Sequence, residues 1–277
     1  MRVARFTAGS DPAYGLVELE ADGGKHPDTI AVISGDPMAM AVQYTGERHD
    51  LADVRLLAPV IPRSKVVCVG RNYAKHAAEM GSEVPATPLT FFKPNTSVIG
   101  PDAPVLWPRG AEEISFEGEL AVVIGRICKD VPADKAQDVI FGYTIANDFT
   151  ARDWQRNDGQ WSRAKGFDTS CPIGPWITSH YSITDAQNLR LVTKVDGEVR
   201  QDGTTADMVR SIGELVEHVS SYTTLLPGDL ICTGTPEGVG LVEPGQRISV
   251  EIEGMGTLEN TIMDQQGQQQ EKAEEIR

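Results

Sequence analysis

The amino-acid sequence predicts a β-rich α+β fold, in which closed or sandwiched sheets form the body and a few helices cover them. Short runs rich in Val and Ile end at Gly, Pro, Asp or Asn, as in KVVCVG, LAVVIGRI and GDLICTG. Two segments carry hairpin signals: KVDGEV, which places Asp-Gly between strand-like runs, and ISVEIEGMGTLENTI. Helical patterns are confined to a few segments, so strands are expected along most of the chain.

Three regions follow one another along the chain. Residues 1–60 predict a small N-terminal domain, with strands in RVARF and YGLVELEA. Residues 61–264 predict the main domain, whose further strand candidates are LTFFK, VIFGYTIANDF, LRLVTKVDGEV and QRISVEIEG. Residues 265–277 are rich in Gln and Glu with almost no apolar residues, so we expect a frayed tail.

Three segments of the main domain predict helices. The first is YAKHAAEMG, and the second is DKAQDVI, which follows a proline. The third covers residues 205–225 and has the clearest pattern, because four apolar residues recur at helical spacing: Met208, Ile212, Leu215 and Val219. We expect these helices to cover the sheets.

Composition and charge limit the classes of function. The chain has 277 residues, a formal net charge of −15 and an isoelectric point of about 4.7. A chain this acidic repels a phosphate backbone, so the sequence argues against nucleic-acid binding. No apolar run approaches the roughly 18 residues of a membrane span, and the N-terminus has no apolar signal segment. Four cysteines without a C-x-x-C pair predict buried reduced thiols, and we expect a cytoplasmic protein without membrane attachment.

Two carboxylates lead into an apolar strand in the segment EISFEGELAVVIG. Glu117 and Glu119 lie two residues apart, so on a strand they face the same side. Asp148 ends another strand-like run, FGYTIAND. Three carboxylates supply the hard oxygen ligands that suit Mg²⁺ or Mn²⁺ rather than zinc. For Glu117 and Glu119, the alternative interpretation is an exposed acidic edge of a strand. With one divalent cation, the three carboxylates alone would leave a net negative site.

A candidate acid/base pair lies in the segment GRNYAKHAAEMG. His76 and Glu79 are three residues apart and share a face of the predicted helix. A carboxylate beside an imidazole orients the ring and raises its basicity, so the pair could activate a water molecule. A surface pair is the alternative. Arg71 and Lys165 are candidate cations for an anionic substrate, with surface positions as the alternative.

Five motifs stand in the order found in a known family: GRNYAKHAAE, SFEGELAVVIG, GYTIANDFTARDWQ, AKGFDTSCPIGPW and LLPGDLICTGTPEGVG. Together they resemble the fumarylacetoacetate hydrolase family over residues 63–264. The resemblance implies a mixed β-sandwich roll and a homodimer. It implies that Mg²⁺ or Mn²⁺ is held by Glu117, Glu119 and Asp148, and that the catalytic residues are His76, Glu79 and Lys165. The substrate-binding residues that it implies are Arg71, Gln155, Thr233, Gly234 and Thr235.

The resemblance also implies an enzyme that acts on 2-oxo acids, including β-diketo acids. A 2-oxo carboxylate can chelate a divalent cation, which then stabilises the enolate. C–C bond hydrolysis of an acylpyruvate or fumarylpyruvate leads to that enolate, and so does decarboxylation of oxaloacetate. An alternative is the isomerisation or decarboxylation of 2-hydroxyhepta-2,4-diene-1,7-dioate in aromatic catabolism. The non-enzyme alternative is a metal-bound ligand-binding scaffold, which would not need His76, Glu79 or Lys165.

Overall fold

The computed structural model describes residues 1–9, 11–20 and 26–264, and strands dominate it. The strands are β1 (Arg2–Thr7), β2 (Ala13–Glu18), β3 (Thr29–Ile33), β4 (Tyr44–Asp50), β5 (Arg55–Leu57), β6 (Val66–Gly70), β7 (Leu89–Lys93), β8 (Val98–Ile99), β9 (Val105–Trp107), β10 (Ile114–Phe116), β11 (Gly118–Ile124), β12 (Ile140–Asn147), β13 (Thr150–Ala151), β14 (Cys171–Thr178), β15 (Arg190–Val195), β16 (Glu198–Thr204), β17 (Leu230–Cys232), β18 (Gly240–Val242), β19 (Arg247–Ile252) and β20 (Gly256–Asp264). The α-helices are α1 (Ala74–Glu79), α2 (Arg152–Asn157), α3 (Ser162–Gly166), α4 (Ile183–Ala186) and α5 (Ile212–Tyr222).

Three sheets form the body of the molecule. The largest has 12 strands, in the order β4-β3-β2-β1-β14-β12-β11-β17-β6-β7, with β5 beside β1 and β8 beside β14. The second has five strands in the order β16-β15-β19-β20-β9, and the third has three in the order β13-β10-β18. Most neighbours are antiparallel, but β17 runs parallel to β6, β8 runs parallel to β14, and β9 runs parallel to β20. The predicted β-rich α+β class is confirmed.

The main apolar core lies between the large sheet, the five-stranded sheet and α5. It contains Leu120 of β11, Ile145 of β12, Leu191 of β15, Val250 of β19 and Leu215 of α5, all completely buried. Strand β11 is buried along its whole length, because alternate side chains enter this core and a second apolar cluster on the other face of the sheet. The strand that carries Glu119 is therefore held from both sides.

The first four strands belong to the large sheet. β1 pairs antiparallel with β14, and Arg2 lies opposite Thr178. Sheet hydrogen bonds therefore join the segment before residue 60 to the segment after it. The division into domains at residue 60 stays a prediction. The predicted frayed tail, residues 265–277, lies outside the described residues.

Both hairpins expected from the sequence are present. β15 and β16 pair antiparallel across Asp196 and Gly197, whose φ angles of 50° and 84° lie in the left-handed region. Two such residues in succession form a type I′ turn, which Asp-Gly favours. β19 and β20 also pair antiparallel, with Ile252 opposite Gly256. These hairpins form most of the five-stranded sheet.

The helices are short, and the sequence predicts them only in part. α1 forms within the predicted segment YAKHAAEMG, whereas DKAQDVI forms a 3₁₀-helix, Ala133–Val139, instead of an α-helix. α2, α3 and α4 have six residues or fewer and were not predicted, because they are too short to show a period. Among the described residues no helix is long and apolar enough to cross a membrane, since the longest α-helix, α5, has 11 residues.

The third predicted helix, over residues 205–225, is wrong at its start, because α5 begins at Ile212. The Ser211 hydroxyl accepts from the backbone N–H of Glu214, and the Glu214 carboxylate accepts from the backbone N–H of Ser211. This capping box satisfies N–H groups that have no partner within the helix. Met208 lies ahead of the cap and forms an isolated β-bridge with Tyr73, next to the start of α1.

Replacing Ser211 with Ala should therefore destabilise the protein. The substitution removes the hydroxyl that accepts from Glu214 N–H and should lower the free energy of unfolding by about 1 kcal/mol in chemical denaturation. The control is Ser221→Ala on the exposed C-terminal turn of the same helix, which should change stability by less than about 0.5 kcal/mol. Equal losses in the two variants would contradict the capping role of Ser211.

Candidate active site

Three buried carboxylates meet where two strands of the large sheet lie side by side. Glu117 precedes β11, Glu119 is the second residue of β11, and Asp148 follows β12. β11 and β12 pair antiparallel with Gly118 opposite Asn147, so the start of one strand lies beside the end of the other. One carboxylate oxygen from each of the three residues lies within 4.8 Å of those from the other two. Their exposed fractions are 5%, 2% and 1% respectively.

Hydrogen bonds to the backbone fix this arrangement. The N–H of Asp148 donates to the carbonyl oxygen of Glu117 at 2.9 Å, and the N–H of Glu117 donates to Oδ1 of Asn147 at 2.9 Å. The N–H of Gly234 donates to Oε2 of Glu119 at 2.8 Å. The three carboxylates are therefore positioned by rigid strand ends and by one loop.

Two of the carboxylates are each paired with two cations. Nζ of Lys165, on α3, lies 2.7 Å from Oε2 of Glu117 and 2.7 Å from Oδ2 of Asp148. Nη2 of Arg152, the first residue of α2, donates to Oε1 of Glu117 at 2.6 Å. Nζ of Lys93, at the end of β7, donates to Oδ1 of Asp148 and is completely buried. Since three cations contact these two carboxylates, their charges are compensated inside the protein.

Glu119 has no such cation within the part of the chain that the structure describes. Among the described residues its carboxylate has one hydrogen bond, from Gly234. Burial raises the pKa of Glu119 well above its ordinary value, and the charges of Asp148 and Glu117 raise it further. Burial also acts to raise the pKa of Glu117, but Lys165 and the other cations around it outweigh burial and hold that pKa well below its usual range. The centre therefore holds one carboxylate whose charge is not compensated.

His76 and Glu79 lie on one face of α1, as the sequence predicts. Nδ1 of His76 is 3.4 Å from Oε2 of Glu79, and His76 is 7% exposed. The N–H of Gly238 lies 3.1 and 3.2 Å from the two carboxylate oxygens of Glu79 and donates to both. A salt bridge of 3.3 Å between Lys75 and Glu237 joins the same two segments. The pair is thus held in place by the loop that follows β17.

A cavity of about 190 Å³ connects the carboxylates with this pair. Seven of the residues predicted for the site line it: Arg71, His76, Glu117, Glu119, Gln155, Lys165 and Thr235. Three more lie behind the wall and contact lining residues: Glu79 contacts His76, Asp148 contacts Lys165, and Gly234 contacts Glu119. Thr233 differs, because its hydroxyl donates to the carbonyl oxygen of Leu120 at 2.9 Å and it does not line the cavity.

One wall of the cavity is aromatic and cationic. The Arg71 guanidinium lies 5.9 Å from the centre of the Trp161 ring, and Trp161 packs edge-on against Phe91. Arg71 has a φ of 60°, in the left-handed region, and forms no ion pair with a described carboxylate. Oε1 of Gln155 accepts from Nη1 of Arg152 at 2.9 Å. This wall can bind an anionic or planar group.

Residues 65–263 match the family model described as fumarylacetoacetate (FAA) hydrolase, C-terminal. The chain belongs to the fumarylacetoacetate hydrolase family. Residues 1–59 match a second family model, described as Rv2993c-like, N-terminal. The family membership that the five sequence motifs indicate is confirmed.

Relatives within the fumarylacetoacetate hydrolase family differ in the reactions for which they are named. A solved 2-hydroxyhepta-2,4-diene-1,7-dioate isomerase from Mycobacterium marinum is 47% identical, with a TM-score of 0.86 over 96% of this chain and 99% of that chain. A fumarylpyruvate hydrolase from Pseudomonas aeruginosa, solved with Mn²⁺ and pyruvate, is 36% identical, with a TM-score of 0.69 over 76% and 92%. The human mitochondrial oxaloacetate tautomerase FAHD2A is 42% identical over 221 residues, 76% of this chain and 70% of that protein. The expected β-roll fold is confirmed.

The carboxylate centre fits a divalent cation. Its donors are hard oxygens, which suit Mg²⁺ or Mn²⁺. Glu119 is a buried carboxylate with no cationic partner among the described residues, and a bound cation would compensate its charge. Glu117 and Asp148 lie close enough to contribute the remaining protein oxygens.

Sequence reasoning missed Lys93 and Arg152, which change the charge of the centre. Counted as ionised, the three carboxylates give −3, and the three cations, Lys93, Arg152 and Lys165, give +3, so the formal charges sum to zero. These three cations outweigh the net negative charge expected of the carboxylates with one divalent cation, and of the three only Lys165 was a candidate from the sequence. A lysine at the end of the apolar run LTFFK was a weak signal, because a strand that ends in a cation can place it inside the protein.

Replacing Glu119 with Gln should weaken metal binding while the protein still folds. The amide keeps an oxygen for the N–H of Gly234 and removes the uncompensated charge. We therefore expect the metal-free variant to be more stable than wild type by about 1 kcal/mol. Mn²⁺ should raise the unfolding temperature of wild type, as any ligand of the folded state does, but not that of Glu119→Gln.

The matched control is Glu251→Gln on β19, an exposed residue outside the cavity, which should leave both the stability and the Mn²⁺ effect unchanged. Differential scanning calorimetry with and without Mn²⁺ measures both quantities. An equal Mn²⁺-induced shift in Glu119→Gln and wild type would remove Glu119 from the metal site.

Proposed function

We propose that this protein is a divalent-metal-dependent enzyme that acts on a 2-oxo acid through its enolate. The observation that supports it most is the convergence of three buried carboxylates on a cavity that His76 and Lys165 also line. A ligand-binding scaffold would need the carboxylates but not a buried histidine oriented by Glu79. The names of the relatives, an isomerase, a hydrolase and a tautomerase, agree with an enzyme.

Glu117, Glu119 and Asp148 would hold Mg²⁺ or Mn²⁺. When bound, the cation supplies Lewis acidity that stabilises the negative charge of the enolate. The relative from Pseudomonas aeruginosa with Mn²⁺ and pyruvate supports the choice of metal and of a 2-oxo acid.

His76 is the proposed general base. Its Nδ1 faces Glu79, so Nε2 is the atom left for proton transfer, and the carboxylate stabilises the imidazolium that forms. Gly238 fixes Glu79 and so fixes the orientation of the ring. A base in this position can take a proton from the carbon next to the 2-oxo group, or from a water molecule that attacks a distal carbonyl.

Positive charge in the cavity favours an anionic substrate. Lys165 carries its ammonium group to the edge of the carboxylate centre, and Arg71 offers a guanidinium with no carboxylate partner among the described residues. The Gln155 amide N–H₂ and the Thr235 side chain complete the proposed substrate contacts. An acid with a second carboxylate or carbonyl could therefore be held at both ends.

Three reactions that involve the enolate are candidates: C–C bond hydrolysis, decarboxylation and isomerisation. The same residues of the chain could support each of them. C–C bond hydrolysis needs a water molecule activated by His76, whereas decarboxylation and isomerisation do not. The isomerase relative, which covers 96% of this chain, supports proton transfer at carbon, while the His76–Glu79 pair also suits hydrolysis. Homodimer assembly and a cytoplasmic location stay predictions.

Steady-state assays with Mg²⁺ or Mn²⁺ test the proposal. Oxaloacetate, acetylpyruvate, fumarylpyruvate and 2-hydroxyhepta-2,4-diene-1,7-dioate form the substrate panel. His76→Asn should lower kcat for the accepted substrate by about 10²–10⁴-fold, because the general base is lost. His218→Asn on α5, away from the cavity, is the control and should leave kcat unchanged. Full activity of His76→Asn on a substrate that is hydrolysed or isomerised, or no metal-dependent turnover of any substrate in the panel, would contradict the proposal.

Lys165→Met tests the charge partner. Loss of the ammonium group should lower kcat/KM by about 10²–10³-fold at saturating Mn²⁺, because the anionic substrate and its enolate lose a cation. Mn²⁺ affinity should not fall, since the Lys165 ammonium group contacts one oxygen each of Glu117 and Asp148, and its removal frees both oxygens. Lys194→Met on β15 is the control. Unchanged kinetics would show that Lys165 does not act on the substrate. Weakened Mn²⁺ binding would show that Lys165 supports the metal site instead.

A further inference from the structure

The edge strand β16 carries one buried glutamine. In this strand only Gln201 is buried, and its exposed fraction is 0%, whereas the residues on either side of it are exposed. A long polar side chain is rarely buried unless its hydrogen bonds are satisfied. Gln201 belongs to the five-stranded sheet, but its amide contacts two segments of the candidate site.

These contacts form a closed ring of hydrogen bonds. The N–H of Gly118 donates to Oε1 of Gln201 at 3.1 Å, and Nε2 of Gln201 donates to Oγ1 of Thr235 at 2.7 Å. The Thr235 hydroxyl then donates to the carbonyl oxygen of Gly118 at 2.8 Å, which closes the ring. The second hydrogen of Nε2 goes to the carbonyl oxygen of Pro236 at 2.9 Å. Both N–H hydrogens of the amide are therefore used.

The ring lies between residues that hold the carboxylates. Gly118 stands between Glu117 and Glu119 in the chain, and Thr235 follows Gly234, whose N–H donates to Glu119. Gln201 thus fixes the backbone from which two carboxylates project and also the loop that holds one of them. A shift of either segment would move the carboxylate oxygens of Glu119 away from those of Glu117 and Asp148.

Close packing leaves little room for the ring to shift. A Cβ added to Gly118 would lie 2.3 Å from Oγ1 of Thr193, so only glycine fits there. A Cβ added to Gly238 would lie 2.1 Å from the carbonyl oxygen of Arg200, the residue before Gln201. β16 therefore supports the whole loop from Thr235 to Gly238, and with it the N–H that holds the acid/base pair.

We propose that Gln201 is a positioning residue that sets the geometry of the metal-binding carboxylates through Gly118 and Thr235. The proposal rests on the proposed function only in that the carboxylate centre binds a divalent cation. Residues that orient metal ligands typically change metal affinity by about 10–100-fold when they are replaced. A glutamine that merely filled space between two sheets would instead affect stability alone.

Titration of the metal-free full-length protein with Mn²⁺, followed by electron paramagnetic resonance, tests this without any assay of turnover. Gln201→Met keeps the length of the side chain and removes both hydrogen-bonding functions, so its Kd for Mn²⁺ should rise about tenfold or more. Thr235→Val breaks the ring from the other side and should have a similar effect, whereas Thr235→Ser keeps the hydroxyl and should stay near wild type. The double variant Gln201→Met/Thr235→Val should be no worse than either single variant, because both remove the same ring.

Gln187→Met is the matched control, since Gln187 accepts from the N–H of Ile212 at 2.9 Å and does not line the cavity. It should lower the unfolding temperature without changing the Kd for Mn²⁺. A Kd within about twofold of wild type in folded Gln201→Met overturns the inference. If that variant does not fold, Thr235→Val and Thr235→Ser decide, and equal affinities in those two also overturn it. Absence of Mn²⁺ binding to wild type would instead contradict the proposed function.

Discussion

Three carboxylates buried within 4.8 Å of one another repel, and much of the structure around the cavity serves to keep them together. Burying an unpaired charge costs several kcal/mol, so each carboxylate needs a partner that arrives from elsewhere in the fold. β7 supplies Lys93, α2 supplies Arg152, α3 supplies Lys165, and the loop after β17 supplies an N–H for Glu119. β7 and the loop after β17 are far in sequence from α2 and α3, so the centre forms only when the large sheet and its covering helices are complete.

The antiparallel pairing of β11 and β12 is what makes this convergence possible. In such a pair the start of one strand lies beside the end of the other, so residues about 30 positions apart in sequence become neighbours. A parallel pair would place equivalent ends together and would separate these carboxylates by the length of a strand. The five-stranded sheet then supports the loop after β17 through β16, and this loop holds both Glu119 and Glu79. The proposed metal ligands and the proposed acid/base pair thus share one support.

The sequence was informative where local chemistry decides the structure. Alternation of side chains along a strand puts Glu117 and Glu119 on one face, and Asp-Gly specifies the turn between β15 and β16 whatever surrounds it. The start of α5 was missed because Met208 fits the helical period, while the Ser211 cap ends that pattern. Lys93 and Arg152 could not be assigned, because their role depends on which strands and helices lie beside Asp148 and Glu117, and no local pattern encodes that.

Under the proposed function, the charges at the centre determine the order in which the metal and the substrate would bind. Counted as ionised, the three carboxylates and the three cations at the centre sum to zero, so without a metal the centre itself adds no net positive charge to that of Arg71. A divalent cation brings the sum to +2, which a 2-oxo dicarboxylate with a charge of −2 matches. Both the carboxylates and the cations are nine-tenths buried or more, so salt screens the interactions among these charges only weakly. Under this proposal a divalent cation would bind before the substrate, and Arg71, a cavity cation without a carboxylate partner among the described residues, would attract the far end of the substrate.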